Sequence, residues 1–381
     1  MINIDPKLSK GVIFVLEDTR LAGPHVYVAR LCKGLKISSR VLIPRSKHSK
    51  TFKGLLKKNG VKVSETFFLS RLSREPLQII YYLLMFIPEI IALTIIFLKS
   101  KEKLVYCAGG SWQIKGALAG YLSRKLVVWH LNDTHVPSII MKIFRRISFL
   151  ATAYIHASEA TKTYYLDSLS DRPSAVIPAP IDTELFLDEI KFQNLEEKEK
   201  IVLGMICNIN PTKNLEDFIM IADNISSEMR SRFEFRIIGP TFDSQQGYKK
   251  RLEKMIEELD IPNIFFYGPT EDISSSLRDL DIFLFTSKSE SSPLVVWEAL
   301  MSGLPVVTYR VGDIDKYIKN EFNGLTAEVF DKAAMCRAID LLICDYNLAN
   351  NLKTNARKTA IEFFSHTKCA ELHVEYLSRL I

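Results

Sequence analysis

Residues 281–309, "DIFLFTSKSESSPLVVWEALMSGLPVVTY", contain the sequence pattern that is most informative about the fold. A short apolar run, a serine-rich turn, an apolar helical segment and a second short apolar run follow one another. Ser292 and Pro293 have the pattern of a helix N-cap followed by proline at the first helical position. Gly303 fits the position just after a helix. The stretch therefore predicts a strand, a loop, a helix and a further strand.

The same alternation of strand-like and helix-like runs continues along the chain. It includes "GVIFVLE", "KLVYCA" and "LVVWHL" in the first half, and "IVLGMIC", "FEFRIIG" and "IFFYG" in the second. Short apolar strands that alternate with helices are typical of parallel sheets covered on both faces. A polar stretch at 187–200 separates the two series and predicts a linker.

We therefore expect an α/β protein with two Rossmann-like doubly wound parallel-sheet domains that face each other across a cleft. The expected boundaries are 1–185 for the first domain and 190–361 for the second. A helical pattern at the end of the chain, broken near Ser365, predicts a helix at 362–381 that packs back on the first domain. In such sheets, ligands gather at the carboxyl ends of the strands.

Charge is divided unevenly between the two halves. The net charge of +6 combines 27 Lys and Arg against 11 Asp and Glu in residues 1–180 with 23 against 33 in the remainder. A basic half predicts an anionic partner, although a basic surface can also serve solubility alone. No zinc-finger spacing, aromatic RNP motif or basic heptad accompanies the charge, which argues against nucleic acid. An anionic membrane surface is the expected partner.

A long apolar segment, "LQIIYYLLMFIPEIIALTIIFL" at residues 77–98, strengthens the membrane hypothesis. Its length suffices to cross a bilayer, and arginines precede it while lysines follow it. Pro88 and Glu89 lie at its centre, where a span tolerates them poorly. We interpret the segment as two successive helices. Three arrangements stay open: core plus membrane surface, core alone, or a true span.

Several other classes of protein find no support in the sequence. The six cysteines have no paired spacing and predict reduced thiols, and the first residues show no secretory signal. GxGxxG, GxxxxGK[ST] and GxSxG patterns are absent, which argues against dinucleotide, P-loop and serine-hydrolase chemistry. His130 and His135 are too few for a zinc site. Of two DxD pairs, the one at 279–281 precedes its strand, whereas the one at 313–315 follows a strand and stays a weak metal candidate.

Two glutamates eight positions apart flank the predicted helix N-terminus. Glu290 falls in the strand-to-helix loop, and Glu298 falls about one and a half turns into the helix. A helix N-terminus offers unpaired N–H groups and a partial positive charge, which suit a phosphate. Because carboxylates would repel that phosphate, they are better suited to hydroxyls on either side of it. A sugar and a ribose joined by a diphosphate have this arrangement, although the spacing alone also fits a solvated loop and an exposed helix residue.

The E-x7-E spacing followed by "EALMSGLPVV" resembles the signature of the retaining GT-B glycosyltransferases of the family 4 type. In that family the first glutamate holds the donor sugar and the second holds the nucleotide ribose. "GMICNINPTKNLEDF" at 204–218 resembles the family's diphosphate-binding loop, with Lys213 at its lysine. "LEDTRLAGPH" at 16–25 and "AVIPAPIDTELF" at 175–186 resemble the first acceptor-domain loop and the stretch near the hinge. The resemblance covers almost the whole chain.

The resemblance implies a set of site residues. The implied catalytic residues are Lys213, Glu290, His130 and Asn208. The implied donor-binding residues are Gly23, Gly239, Pro240, Tyr267, Gly268, Ser291, Ser292, Pro293, Leu294, Val295 and Glu298. Two positions depart from the family, because Asn208 stands where it has an arginine and Lys316 where it has a glutamate. Lys249, Lys250 and Arg310 are candidates for the missing cation.

The resemblance also implies an activity. The second domain would bind a UDP- or GDP-sugar, and the first a glycan or polyprenyl-linked or other lipid-linked acceptor, with transfer retaining the anomeric configuration. No cofactor or obligatory metal is expected, because Lys213, helix amides and the Gly23 loop would supply the positive charge. The setting would be cell-surface polysaccharide, lipopolysaccharide or glycolipid biosynthesis, in the cytoplasm at the inner face of the membrane. Two alternatives stay open: a sugar-nucleotide epimerase of the same fold, and a catalytically weak homologue that binds sugar nucleotides or acts as a scaffold.

Overall fold

The computed structural model describes residues 11–18, 23–46, 49–66, 76–169, 171–225 and 230–381. The chain divides into two compact units: unit 1 comprises residues 1–180 and 366–381, and unit 2 comprises residues 181–365. Each unit is built on one parallel sheet. The predicted pair of Rossmann-like α/β domains is therefore confirmed.

Unit 1 contains a seven-stranded parallel sheet with the order β3-β2-β1-β4-β5-β6-β7. The strands are β1 (Val12–Val15), β2 (Ser39–Pro44), β3 (Lys62–Thr66), β4 (Leu104–Ala108), β5 (Leu126–Leu131), β6 (Ala153–His156) and β7 (Ser174–Val176). The helices between them are α1 (Gly23–Gly34), α2 (Ser49–Lys58), α3 (Pro76–Lys99), α4 (Ile114–Leu122), α5 (Ser138–Ile147) and α6 (Glu159–Tyr165). Most side chains of β1, β4 and β5 are fully buried, because helices cover both faces of these central strands.

Unit 2 contains a six-stranded parallel sheet with the order β10-β9-β8-β11-β12-β13. The strands are β8 (Ile201–Ile206), β9 (Phe233–Ile238), β10 (Ile264–Gly268), β11 (Ile282–Phe285), β12 (Val306–Tyr309) and β13 (Leu325–Ala327). The helices are α7 (Leu215–Asn224), α8 (Gln246–Glu258), α9 (Ile273–Arg278), α10 (Leu294–Met301), α11 (Ile314–Tyr317), α12 (Lys332–Cys344) and α13 (Tyr346–Phe364). The strand order reverses between β8 and β11, so the carboxyl ends of these two strands mark the expected ligand site.

The last helix, α14 (His366–Ser378), belongs to unit 1 and follows a break at Ser365. It packs so closely on α1 that a Cβ at Gly34 would lie 2.2 Å from the carbonyl oxygen of His366. A buried polar network joins the same elements, because Tyr27 Oη lies 2.8 Å from both His373 Nε2 and Tyr106 Oη. Burial lowers the pKa of His373 to about 4. The neutral imidazole and the two phenols therefore tie α14 to α1 and β4.

The apolar segment forms one helix, α3, so the prediction of two successive helices is wrong. Pro88 lies inside α3 and removes only one hydrogen-bond donor, which bends a helix without ending it. The next residue, Glu89, is 1% exposed and forms an ion pair with Lys115 of α4. Lys115 Nζ also lies 4.3 Å from the centroid of the Tyr82 ring. These contacts hold α3 against α4 on both sides of the proline.

Candidate functional site

Two loops meet at the carboxyl edge of the unit 2 sheet. The loop after β8 passes through a short 3-10 helix, Pro211–Lys213, and the loop after β11 carries Glu290. The ammonium of Lys213 donates to Glu290 Oε1 in a direct ion pair. Their side chains are 20% and 15% exposed, so the pair is shielded but open on one side. The structure thus brings together two residues that lie 77 positions apart in sequence.

Hydrogen bonds between the two loops fix the ion pair. Ser287 Oγ donates to Glu290 Oε1 at 2.8 Å, on the same oxygen that Lys213 contacts. Thr286 Oγ1 donates to the carbonyl oxygen of Lys213 at 3.2 Å, and the Lys288 amide donates to that of Thr212 at 3.0 Å. Both Glu290 contacts fall on Oε1, so Oε2 is the carboxylate oxygen that neither partner occupies.

Two glycines allow the loops to approach other backbone at distances that a side chain would forbid. Gly239, at the end of β9, has φ +146°, and a Cβ there would lie 1.8 Å from the carbonyl oxygen of Cys207. Gly312, after β12, has φ +58°, and a Cβ there would lie 2.7 Å from the carbonyl oxygen of Glu290. Glycine adopts positive φ without strain. The absence of a side chain at Gly239 and Gly312 therefore allows the backbone to pack closely against Cys207 and Glu290.

The N-terminus of α10 lies directly after the Glu290 loop. Pro293 occupies the N-cap position and no side chain caps the helix, so the prediction of Ser292 as N-cap is wrong. Ser292 Oγ instead accepts a hydrogen bond from Trp297 Nε1 at 3.0 Å, because Trp297 lies one turn into the helix. Without a side-chain cap, the first amides of α10, at Leu294 and Val295, are positioned to donate to an anion.

Further backbone bonds join the strand ends beside this helix. The Gly239 amide donates to the carbonyl oxygen of Gly268 at 2.7 Å, and the Ile209 amide donates to that of Pro240 at 2.9 Å. Gly268 has φ +73°. Three of the implied donor-binding residues, Gly239, Pro240 and Gly268, therefore line one edge of the sheet through their backbone.

Two implied donor-binding side chains are engaged within unit 2. Glu298 is only 2% exposed in α10. The hydroxyl of Tyr267 donates to Glu234 Oε1 at 2.7 Å, and the Arg236 guanidinium lies 5.1 Å from the Tyr267 ring. Burial raises the pKa of Glu234, but hydrogen bonds from Lys200, Tyr267 and Arg236 lower it to about 2. Because Glu234 is the second residue of β9, the Tyr267 hydroxyl is directed away from the carboxyl edge.

Position 208, where the resembling family has an arginine, holds an exposed asparagine. Asn208 is exposed, and its carbonyl oxygen accepts a hydrogen bond from Asn210 Nδ2 at 3.2 Å. Two of the candidate replacements are engaged elsewhere, since Lys249 pairs with Glu253 at 3.3 Å and Arg310 with Glu328 at 2.7 Å. Within the described residues, no group of three His, Cys, Asp or Glu side chains could hold a metal ion.

Two implied site residues, Gly23 and His130, lie in unit 1. Gly23 is the first residue of α1, and a Cβ there would meet nothing within 4 Å. His130 is the penultimate residue of β5, is 1% exposed and stacks on Tyr27 with ring centroids 4.2 Å apart. Burial holds the pKa of His130 well below its usual value, so its imidazole is neutral. In the part of the chain that the structure describes, neither ring nitrogen has a hydrogen-bond partner.

Sequence reasoning missed Ser287 and Gly312. Ser287 is one of four serines in "SKSESS" and carries no pattern that would single out its bond to Glu290. Gly312 stands in the stretch "GDIDK", where the resemblance singles out only Lys316. A glycine three positions after a predicted strand was the available signal, since such positions often require close approach of backbone.

Comparison with known proteins shows which family unit 2 resembles. Residues 187–359 match the family described as Glycosyl transferases group 1. The chain is 25% identical over 256 residues to a Campylobacter jejuni GalNAc-alpha-(1->4)-GalNAc-alpha-(1->3)-diNAcBac-PP-undecaprenol alpha-1,4-N-acetyl-D-galactosaminyltransferase, covering 66% of this chain and 68% of that protein. It is 26% identical over 223 residues to the Escherichia coli UDP-Gal:alpha-D-GlcNAc-diphosphoundecaprenol alpha-1,3-galactosyltransferase, and the match spans 54% of each chain.

A solved structure shares the fold over nearly the full length. Anabaena HepE in complex with UDP and glucose superposes with a TM-score of 0.81 at 19% identity, covering 96% of this chain and 99% of that one. These matches confirm the resemblance inferred from the sequence.

Proposed function

Because residues 187–359 are a glycosyl transferases group 1 domain in a chain of GT-B fold, we propose that the protein transfers a sugar from a UDP- or GDP-sugar to a lipid-linked or glycan acceptor with retention of configuration. Glycosyltransferase activity as such follows from the family match and from the relatives. UDP bound to the Anabaena structure supports a nucleoside diphosphate donor. The undecaprenol-linked acceptors named for two relatives support a lipid-linked acceptor.

The observation that carries the proposal is the Lys213–Glu290 pair beside the uncapped end of α10. The ammonium of Lys213 and the amides of Leu294 and Val295 would receive the donor diphosphate. Glu290 Oε2 would accept hydrogen bonds from hydroxyls of the donor sugar, while Oε1 keeps Lys213 in place. One residue thus binds sugar and orients the cation that faces the leaving group.

In the reaction, the bond between the anomeric carbon and the diphosphate oxygen breaks, and its electron pair stays on the diphosphate. The acceptor oxygen forms the new bond on the same face and transfers its proton to an oxygen of the departing diphosphate. Negative charge grows on the departing diphosphate, where a preorganised donor typically contributes about 3–4 kcal/mol of transition-state stabilisation. The protein supplies this positive charge itself, so we expect no requirement for a divalent metal.

The basic charge of unit 1 supports an acceptor that is presented at an anionic membrane surface. Residues 1–180 carry 27 Lys and Arg against 11 Asp and Glu. A polyprenyl-linked acceptor lies in the cytoplasmic leaflet, whose anionic lipids attract basic protein surfaces. We place the chain in the cytoplasm, peripherally associated with the inner face of the membrane, in polysaccharide, lipopolysaccharide or glycolipid biosynthesis.

A panel of UDP- and GDP-sugars tests the proposal. A donor present at 100 times its dissociation constant should add about 2.7 kcal/mol to the free energy of unfolding and raise the melting temperature. The stabilising donor is then incubated with lipid-linked acceptors, and the product is checked for anomeric configuration. Stabilisation without transfer to any acceptor would favour a binding protein. An epimerised sugar released without acceptor would favour an epimerase, and an inverted product would refute retention.

A further inference from the structure

Helix α3 presents a continuous apolar face to solvent. Its outward residues recur every three or four positions, so they form one stripe along the helix. Their exposed fractions run from 46% for Ile95 to 81% for Leu77. The stripe consists of Leu77, Ile80, Leu84, Ile87, Ile91, Ile95 and Leu98. Contiguous exposed apolar surface of this kind marks a site of protein or membrane contact.

The opposite face of α3 is fixed to unit 1. The Glu89 and Lys115 side chains of the buried ion pair are both 0% exposed. The helix also follows β3 and precedes β4, which belong to the same sheet. In the part of the chain that the structure describes, α3 is the one helix long and apolar enough to cross a membrane by length and composition. A crossing would have to break the Glu89–Lys115 pair and remove the helix from the sheet, so a position in the membrane plane fits better.

A basic groove lies where α3 ends. It has a volume of about 850 Å³ and is lined by the cationic residues Arg40, Lys53, Lys57, Lys62, Lys99 and Lys101. Lys53 pairs with Glu65 at 2.6 Å, and the Glu102 side chain adds a second acid at the groove. Six cations against two acids leave a clear positive excess. A positively charged groove beside an exposed apolar helix is suited to binding an anionic lipid surface.

The topology places the stripe and the groove on one flank of unit 1. The connection from the carboxyl end of β3 to the amino end of β4 contains α3. The 24 residues of α3 span roughly 36 Å, which exceeds the roughly 10–20 Å length of strands of three to six residues. The groove is at the amino edge, since Arg40 is the second residue of β2 and Lys62 is the first residue of β3. The start of α3 lies toward the carboxyl edge, where ligands of such sheets bind.

We propose that α3 lies flat in the interface of an anionic phospholipid bilayer and that the groove formed by Arg40, Lys53, Lys57, Lys62, Lys99 and Lys101 binds the lipid headgroup phosphates. The proposal rests on the membrane association proposed above and names the surface responsible for it. A helix that runs from one edge of the sheet to the other would bring the acceptor-binding edge of unit 1 to the bilayer as well.

Vesicle co-sedimentation of the full chain tests the proposal. The wild-type protein should bind vesicles of phosphatidylcholine with about one-third phosphatidylglycerol, and bind phosphatidylcholine alone far less. Reversal of two groove charges, Lys57→Glu with Lys101→Glu, should lower the partition coefficient on anionic vesicles by at least about 30-fold, because the loss of the two cations alone accounts for that factor. The control Lys254→Glu with Lys358→Glu makes the same charge change on exposed residues of unit 2 and should alter binding by less than about twofold.

A second pair of variants tests the apolar stripe. Leu84→Asp with Ile87→Asp should abolish vesicle binding while the melting temperature stays unchanged, because both side chains are at least 60% exposed. Equal vesicle binding by the groove variant and its control would overturn the groove. Resistance to alkaline carbonate extraction would show a span instead of in-plane binding. If the protein is a dimer in solution and Leu84→Asp dissociates it, the stripe is a contact with a second copy of the chain. If free glycerol phosphate stabilises the protein and vesicles do not bind, the groove is a site for a soluble anion.

The outcome can be separated from the proposed function. The groove variant should keep wild-type turnover on a short, detergent-soluble acceptor, because its changes lie at the amino edge of the unit 1 sheet. If the wild-type protein is active but does not bind vesicles, the docking surface is refuted and the proposed transferase function stands. Vesicle binding without donor binding or transfer would do the reverse.

Discussion

Replacement of Lys213 by alanine should cost the protein most of its turnover without unfolding it. The change removes the ammonium that contacts Glu290 and leaves that carboxylate with its bond from Ser287 Oγ at 2.8 Å. Lys213 is the last residue of a surface 3-10 helix and is partly exposed, so its truncation leaves no core cavity. The variant therefore isolates the electrostatic role of one side chain.

The size of the loss follows from the surroundings of the pair. Side chains that are 20% and 15% exposed lie between bulk water and a dry interior, where an effective dielectric constant near 20 applies. One unit charge that develops on the diphosphate about 4 Å from the ammonium then gains about 4 kcal/mol. This agrees with the 3–4 kcal/mol typical of one preorganised donor, and it corresponds to a fall in kcat of about 10²–10³.

Release of nucleoside diphosphate under saturating donor and acceptor measures the effect. Lys288→Ala is the matched control, because Lys288 lies in the Glu290 loop with an exposed side chain and should keep turnover within about twofold. Lys213→Arg keeps the charge and should recover part of the rate. Turnover of the folded Lys213→Ala protein within fivefold of wild type would refute the assignment of Lys213 to the leaving group.

Further predictions concern packing, pH and metal. Gly34→Ala should lower the free energy of unfolding of unit 1 by about 1–3 kcal/mol in urea titrations, because a Cβ would lie 2.2 Å from the His366 carbonyl oxygen, whereas Gly54→Ala, with nothing within 4 Å, should not. The folded-state pKa of His373 is lowered to about 4, so the unfolded chain takes up the proton first as the pH falls. The free energy of unfolding should therefore fall by up to about 3 kcal/mol as the pH drops from about 6.5 to 4. A His373→Gln variant that keeps the same pH dependence would contradict this prediction. Turnover should be unchanged by excess EDTA, and its loss and recovery with Mg²⁺ would contradict a purely protein-derived clamp.

The sequence was most informative where local pattern and tertiary structure agree. Apolar runs of four to six residues became the parallel strands, because buried central strands need no polar alternation. The Lys213–Glu290 contact was foreseeable as well, since both residues follow strands that the topology makes neighbours. In such cases the chain order alone determines which side chains share a sheet edge.

Errors arose where tertiary contacts overrode a local rule. Pro88 should have ended a helix by propensity, yet the buried Glu89–Lys115 pair holds the helix together around it. Ser292 has the best N-cap chemistry in its loop, but Trp297 uses its hydroxyl and the helix begins one residue later. Each depends on a partner at least five residues away or from a different element, which a local pattern does not reveal.

The return of α14 to unit 1 has a consequence for how the protein is made. A ribosome that has finished residue 180 has not yet synthesised the helix that covers Tyr27 and Gly34 of α1. The intervening residues 181–365 take roughly 10–40 s to translate at about 5–20 residues per second. During that interval unit 1 lacks the helix that covers this face of α1. Unit 1 begins first and is therefore completed last. Premature termination near Ser365 would remove α14 and so damage unit 1, although most of unit 1 lies at the other end of the sequence.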